Sequence, residues 1–408
     1  MGDRANLPQS VRRARLARIG ILVALNLVLW SFLFARPGGA LPHQYGDAGT
    51  IDFIQYWTAH ALMARGENPY DRAATSILDH QLGRTGSDEF VTWNPPWLML
   101  MLAPILHLPF ITSASIWLVL GLVLAAATGV CTTLAYRDKL VLSPAIVIAT
   151  FAFQPIASNL WFGQMGLVHA LSIAGFLCAL TRQRKVLAGL ALVPLTIKPH
   201  LAYLIWVLLG YWSVRTRTWR PAAGFIGGFA ALVLVTWLAY PASIEQWIES
   251  LRRPPTHFVV VSLVGVVREL AFKLTGELAM WPMIAIPAAT AVALVAWLVV
   301  RRPAVELRIW LPPVLALSLF TSPYGWVFDQ CQLLVLQVGL VALADRAEVS
   351  KRSRRRIWLS LAAVQLWIIV LHTLGRRDFQ DFFWVGLALA AAWVSGLREL
   401  RVTPAFPG

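Results

Sequence analysis

The sequence predicts an all-α protein threaded repeatedly through a membrane, and three observations point there. Of 408 residues, 58% are hydrophobic and only 13% charged, with a mean hydropathy of +0.64; a soluble globule carries about 25% charged residues. Apolar blocks of roughly 17 to 25 residues recur from end to end, each long enough to cross a hydrocarbon core as a helix. The net charge of +15 is gathered in short basic clusters between those blocks. These are Arg12, Arg13, Arg15 and Arg18; Arg137 and Lys139; Arg182, Arg184 and Lys185; Arg215, Arg217 and Arg220; Arg301, Arg302 and Arg308; and Lys351 through Arg356. Lys and Arg distributed in this way are cytoplasmic topology signals rather than a nucleic-acid surface. No stretch reads as a separate soluble domain, so residues 1–408 are expected to form one integral membrane unit.

Placing every basic cluster inside gives crossings near 19–35, 112–136, 141–158, 164–180, 186–198, 200–213, 221–240, 279–300, 305–321, 326–344, 357–374 and 381–398. That is about twelve spans, with both ends cytoplasmic. An uncleaved first span is expected, because Arg36-Pro37-Gly38-Gly39 offers no small-x-small site after the apolar run from Ile19 to Phe34. The stretch Trp97 to Phe110, broken by Pro104 and Pro109, would invert the later clusters if it crossed, so it is expected as a juxtamembrane or re-entrant helix. Segments 186–198 and 200–213 are short and meet at Lys198-Pro199-His200, which fits a tilted hairpin near the outer leaflet. Cys131, Cys178 and Cys331 have neither metal spacing nor a paired framework and read as packing residues.

The long polar loop after the first span, residues 36–111, lies outside in this scheme. Thr50 or Asp52 can cap a helix running to about Arg65, with Gly66 as its stop and Pro69 beyond. Asp52, Tyr56 and His60 fall on one face by their four-residue spacing. Ile51, Ile54, Thr58, Ala61 and Leu62 make an adjoining face apolar enough to lie on the bilayer and hold Asp52 at headgroup depth. Asn94-Pro95-Pro96 ends the loop, since neither proline donates a backbone bond and the first drives Asn94 toward extended geometry.

Walker loops, Gly-x-Gly-x-x-Gly turns and His-Glu-x-x-His pairs are all missing from the sequence, which argues against a cytosolic nucleotide site. On the outer side, Asp52 is either a catalytic carboxylate or a plain helix cap. Lys198 at the end of a span is a functional candidate by default, although lysines also snorkel to headgroups. Gln164 after Gly163 contacts a substrate or merely satisfies a neighbouring backbone. Arg268, Arg376 and Arg377 are cations on the outer side, and a plain lipid-headgroup contact is the alternative for Arg376 and Arg377. Asp329, entering an apolar block beside Gln330, is a second acidic group or the partner of an arginine on another span. Trp93, Trp97, Trp161 and Trp326 are interfacial anchors, one of which could stack on a sugar; His107 and His169 read as packing residues.

Ile51-Asp52-Phe53 with Tyr56, then Asn68-Pro69-Tyr70-Asp71, Trp93-Asn94-Pro95-Pro96-Trp97, Phe162-Gly163-Gln164, Lys198-Pro199-His200 and Ser322-Pro323-Tyr324-Gly325-Trp326 occur in this order. The ordered set resembles family 87 of the glycosyltransferases, multispan enzymes of the GT-C class, and covers most of the chain. The resemblance implies a GT-C-type fold with an outer juxtamembrane helical loop after the first span. It also implies a polyprenyl-phosphate sugar donor, catalysis on the non-cytoplasmic face, and an acidic base after the first span, which maps onto Asp52. Many relatives carry His where this chain has Tyr324.

The chemistry asks for few parts. A carboxylate takes the proton of the attacking hydroxyl, and cationic donors meet the charge on a departing lipid monophosphate. Lys198, His200, Arg268, Arg376 and Arg377 are candidates for the second task, with Gln164, Tyr56, Tyr324 and Asn94 as further substrate contacts. No cofactor is expected and no metal, because no outer carboxylates have the spacing of an oxygen-ligand site. The expected function is inverting transfer of one sugar, most readily mannose, to a hydroxyl of a glycolipid or glycan at the outer face of a bacterial cytoplasmic membrane. The partners are that donor, that acceptor and membrane lipids. A transporter or flippase of lipid-linked sugars is the rival, which internal repeats with broken helices would favour; a non-catalytic scaffold of an envelope-polymer complex is a third reading.

Overall fold

The computed structural model describes residues 42–85, 90, 92–137, 143–253, 260–345, 349–373 and 382–399, and every regular element among them is helical. In the loop of residues 36–111, α1 (Phe53–Ala64) and α2 (Arg72–Gln81) precede α3 (Trp97–Leu106). The long α4 (Phe110–Tyr136) is followed by α5 (Pro144–Phe151) and α6 (Gln154–Phe162), a pair bent by 47° at its break. Next come α7 (Gly166–Thr181), α8 (Lys185–Ala191), two 3-10 turns at Val193–Ile197 and Pro199–Ala202, and α9 (Tyr203–Thr216). They lead to α10 (Arg220–Ala239), α11 (Ser243–Ser250), α12 (Leu263–Thr275), α13 (Pro282–Arg301) and α14 (Leu307–Phe320). A 3-10 segment, Val327–Leu333, runs into α15 (Leu334–Ala344), and α16 (Lys351–Thr373) and α17 (Val385–Glu399) complete the described chain.

Four helical stretches are long and apolar enough to cross a membrane, at Phe110–Tyr136, Arg220–Ala239, Pro282–Arg301 and Val327–Ala344, or five with the bent α5–α6 pair. The expected twelve are therefore not established. Every expected segment from 112–136 onward does coincide with a helix or a broken pair, but several, such as α7 and α14, are short. The first expected span, 19–35, lies outside the described residues. The ten-residue α3 is too short to cross, and Pro104 inside it costs a backbone bond. Lys198-Pro199 breaks the next expected pair: a residue before proline is kept out of the α region, and Lys198 sits at φ −133°, ψ 70° between the two 3-10 turns.

Hydrophobic burial sorts the helices. The Val327–Ala344 stretch is wholly buried and packs against α4, α5, α16 and α17, whereas the Pro282–Arg301 and Arg220–Ala239 helices are buried over only a small part of their length. A second apolar cluster lies under this loop, where Phe53, Ile54, Tyr56 and Ala59 of α1 meet Leu98, Met99 and Leu102 of α3 and Trp117 of α4. This corrects the expectation that Ile54, Thr58 and Leu62 lie on the bilayer surface, since all three are buried within the protein. The loop is closed by the Trp57 indole donating to the Leu108 carbonyl at 2.9 Å and by the Tyr70 hydroxyl donating to the Asn94 carbonyl at 2.9 Å.

Basic residues gather at one end of this bundle. Beyond the C-terminus of α4, Arg137 pairs with Asp345 at 3.4 Å, and Arg182, just past α7, donates to the Leu134 carbonyl at 3.3 Å. Arg354 of α16 donates to the Ala344 carbonyl at 3.0 Å, and the Tyr136 hydroxyl donates to the Arg308 carbonyl at 2.7 Å.

Candidate active site

Asp52 is the first residue before α1, yet its side chain makes no capping bond. At the start of the next helix, α2, Asp71 does behave as a cap, accepting from the Ala74 amide at 2.9 Å. The Asp52 backbone is instead docked onto the end of α6, its N–H donating to the Phe162 carbonyl at 2.8 Å, while Gly49 donates to the Trp161 carbonyl at 2.7 Å. Gly163 makes this docking possible. It ends α6 in the left-handed conformation (φ 73°, ψ 32°), and a Cβ there would collide with the Gly49 carbonyl and the Phe53 side chain. The turn frees the last carbonyls of α6 for the loop and points the next side chain, Gln164, at Asp52.

Gln164 joins the parts. Its Nε2 donates to Asp52 Oδ2 at 2.8 Å, and its Oε1 accepts from the Tyr56 hydroxyl at 2.9 Å and from Lys198 Nζ at 3.1 Å. Lys198 Nζ also donates to Asp329 Oδ1 at 2.9 Å, and Asp329 Oδ2 accepts from the Trp326 backbone N–H at 3.1 Å. Phe328 presents its ring to the ammonium, with Nζ 5.2 Å from the centroid. The 3-10 segment carrying Asp329 approaches α7 closely, because a Cβ on Gly166 would strike Cys331 Sγ and the Phe328 carbonyl.

Asp52, Gln164 and Asp329 are buried and Tyr56 is fully so. Burial pushes the Asp52 carboxyl up to about 6; the Gln164 bond and the Lys198 charge pull it down less strongly, and the Asp329 charge adds a small upward push. Among the described residues, Asp52 Oδ1 has no hydrogen-bond partner. A carboxylate that loses its proton near neutral pH and keeps one oxygen open is equipped to take a proton from a hydroxyl.

The remaining candidates divide. Asn94, buried at the loop's end, donates from Nδ2 to Thr92 Oγ1 at 3.3 Å and lies beside the Tyr56 hydroxyl. His200 follows Lys198 across Pro199, its ring 6.1 Å from that of Tyr324 in an edge-to-face pair, and its carbonyl accepts from Ser322 Oγ at 3.4 Å. Ser318 Oγ donates to the Leu201 carbonyl at 2.8 Å, so the end of α14 holds the Lys198–His200 corner in place. Arg268 is buried on α12 and donates from Nε to the Ala279 carbonyl at 3.1 Å, and its charge reaches Tyr324. Arg376 and Arg377 lie outside the described residues. His60 shares the α1 face with Asp52 but meets His107, Nε2 to Nδ1 at 3.4 Å, and burial followed by the His107 ring pushes it down to about 4.

Asp329, read from the sequence as a second acidic group or an arginine's partner, joins the site and pairs with a lysine. The signal was present: it is the one acidic residue that follows Ser322-Pro323-Tyr324-Gly325-Trp326 into an apolar block. Trp117 was missed altogether; its indole donates to the Gly163 carbonyl at 3.0 Å and braces the turn that aims Gln164. A lone tryptophan in an apolar helix carries no such signal.

The site and the basic end sit at opposite ends of the same helices. Gln164 precedes α7 and Arg182 follows it; Asp329 precedes α15 and Asp345 follows it. Sixteen residues of α7 at 1.5 Å each separate them by roughly 24 Å, close to a hydrocarbon core's depth.

The model of glycosyltransferase family 87 matches residues 92–323, a stretch that includes Asn94, Gln164, Lys198, His200 and Arg268 but not Asp52, Tyr56, Tyr324 or Asp329. No curated protein and no solved structure matches the chain.

Proposed function

The chain belongs to glycosyltransferase family 87, and from that premise we propose that it moves one sugar, mannose before others, from a polyprenyl-phosphate donor to a hydroxyl of a glycolipid or glycan. Asp52 is the general base, Lys198 meets the departing phosphate, and the anomeric configuration inverts. The observation that carries this reading is the bridge through Gln164. Base and cation bond opposite ends of one amide, at 2.8 and 3.1 Å, so they stand apart by the width of that amide and two hydrogen bonds. An in-line displacement needs such a separation, with the attacking hydroxyl on one side of the sugar and the leaving oxygen on the other.

Sidedness follows from charge. The gathering of Arg137, Arg182 and Arg354 at one end supports a cytoplasmic placement of that end by the positive-inside bias, and with it the reading that catalysis takes place on the periplasmic side of a bacterial inner membrane, where the loop of residues 36–111 would receive donor and acceptor. In this reading Tyr56, Asn94, His200 and Tyr324 are further contacts to donor or acceptor.

Purified protein incubated with radiolabelled polyprenyl-phosphate mannose and a membrane lipid extract should yield a labelled glycolipid or glycan, identified by mass. Transfer from a nucleotide sugar in place of the lipid-linked one would overturn the donor assignment.

A further inference from the structure

We propose that Asp329 is a positioning residue of this transferase, anchoring the Lys198 ammonium so that its one remaining N–H meets the donor's departing phosphate; this rests on the reading of Lys198 as the phosphate cation. An ammonium has three donors. One goes to Gln164 Oε1 at 3.1 Å and one to Asp329 Oδ1 at 2.9 Å, which leaves the third open among the described residues.

Lysine is a poor anchor for a phosphate unless something holds it, since its four-carbon stem is flexible and its ammonium has no fixed direction. Here the backbone offers little help, because Lys198 sits at a helix break. Asp329 supplies what is missing. It is 1% exposed, its second oxygen is fixed by the Trp326 N–H, and its 3-10 segment is pressed against α7 through Gly166. Phe328, the preceding residue, covers another side of the ammonium. The cation is therefore fixed in direction by groups that hang on rigid elements, which is what preorganised electrostatic catalysis demands.

A buried ion pair is not a stability device, because desolvation commonly offsets the Coulomb gain. Its use here is geometric: Asp329 fixes one N–H of the Lys198 ammonium at 2.9 Å and leaves it one donor short of saturation. No other carboxylate among the described residues bonds Lys198.

A double-mutant cycle in the purified, membrane-reconstituted protein tests this, with polyprenyl-phosphate mannose as donor. Lys198→Gln should cut kcat about 100-fold, the size of losing one preorganised donor, and Asp329→Asn about 10- to 100-fold, the size of a misplaced group, with donor KM moving less than kcat. The double variant should be no slower than Lys198→Gln alone, because without the ammonium there is nothing left to position. Losses that multiply in the double variant overturn the proposal. If Asp329→Asn is too unstable to purify, Asp329→Glu carries the test: its melting temperature should stay near wild type while kcat falls at least about tenfold, and wild-type kcat there overturns the proposal. A wild-type enzyme that ignores the lipid-monophosphate sugar rejects the donor reading and this inference with it, whereas wild-type turnover with multiplying losses rejects the role of Asp329 alone.

Discussion

Gln164 donates to Asp52 at 2.8 Å across 112 residues of chain. Its orientation is determined, because the amide oxygen faces the hydroxyl of Tyr56 and the ammonium of Lys198, and only the NH₂ end can then face a carboxylate. Asp52 is consequently held from outside its own helix, by a residue that a left-handed glycine turn delivers.

Asp52→Asn should leave a folded, inserted protein with no measurable transfer. The isostere can still accept from Gln164 but cannot take the hydroxyl proton, and no helix cap is lost because the side chain makes none. Asp52→Glu should keep only a trace of activity, since one methylene moves the carboxylate off the attacking oxygen. Full turnover by a well-folded Asn variant sinks the base assignment.

Activity should rise through about pH 6 and then level off, because burial first of all pushes the Asp52 carboxyl from 3.8 up to about 6 and only its ionised form is a base. The same displacement costs stability. The folded protein holds this proton more tightly than the unfolded chain, so the cost is absent below about pH 4 and complete above about pH 6, reaching about 3 kcal/mol. Asp52→Asn should therefore melt higher than wild type at pH 7.5, with the gap closing at pH 4. An Asn variant that melts lower at both pH values contradicts this.

Gly163→Ala should lower both the melting temperature and kcat. Its φ of 73° and its contact with the Gly49 carbonyl exclude a Cβ without shifting the loop, which costs more than the roughly 0.4–1 kcal/mol that Gly→Ala gains elsewhere. The effect on kcat should exceed that of Gly210→Ala, a site where a Cβ meets nothing within 4 Å. Equal behaviour of the two variants would remove Gly163 from the site's architecture.

Transfer should persist in EDTA. Asp52 and Asp329 are bridged by Gln164 and Lys198 rather than facing one another across a shared space, so the ammonium occupies the place a divalent ion would take. Chelation that silences the enzyme, with Mn²⁺ restoring it, would show that the cation reading of Lys198 is wrong.

Topology can be read with an impermeant thiol reagent in intact cells, on a variant whose three native cysteines have been replaced. Glu67→Cys, exposed after α1, should label from outside; Arg215→Cys, exposed at the end of α9, should label only after lysis. The reverse pattern would move the site to the cytoplasm and exclude a lipid-linked donor presented outside.

By itself, the sequence determined the elements and their punctuation. Apolar block length marked the helices from 112 onward, Gly66 marked the end of α1, and Lys198-Pro199 marked the break that carries an ammonium, because backbone sterics act over neighbouring residues. The motifs Phe162-Gly163-Gln164 and Lys198-Pro199-His200 likewise singled out residues that the fold brings together. Tertiary structure alone decided what each side chain does. It turned Asp52 from a possible cap into a bonded carboxylate, gave Lys198 a partner 131 residues away in Asp329, and buried Ile54 and Leu62 in protein rather than lipid. The physical reason is common to these cases. A sequence states which faces are apolar and which residues carry charge, but lipid tails and a protein interior are equally apolar, and a charge's partner is chosen by packing between helices far apart in the chain.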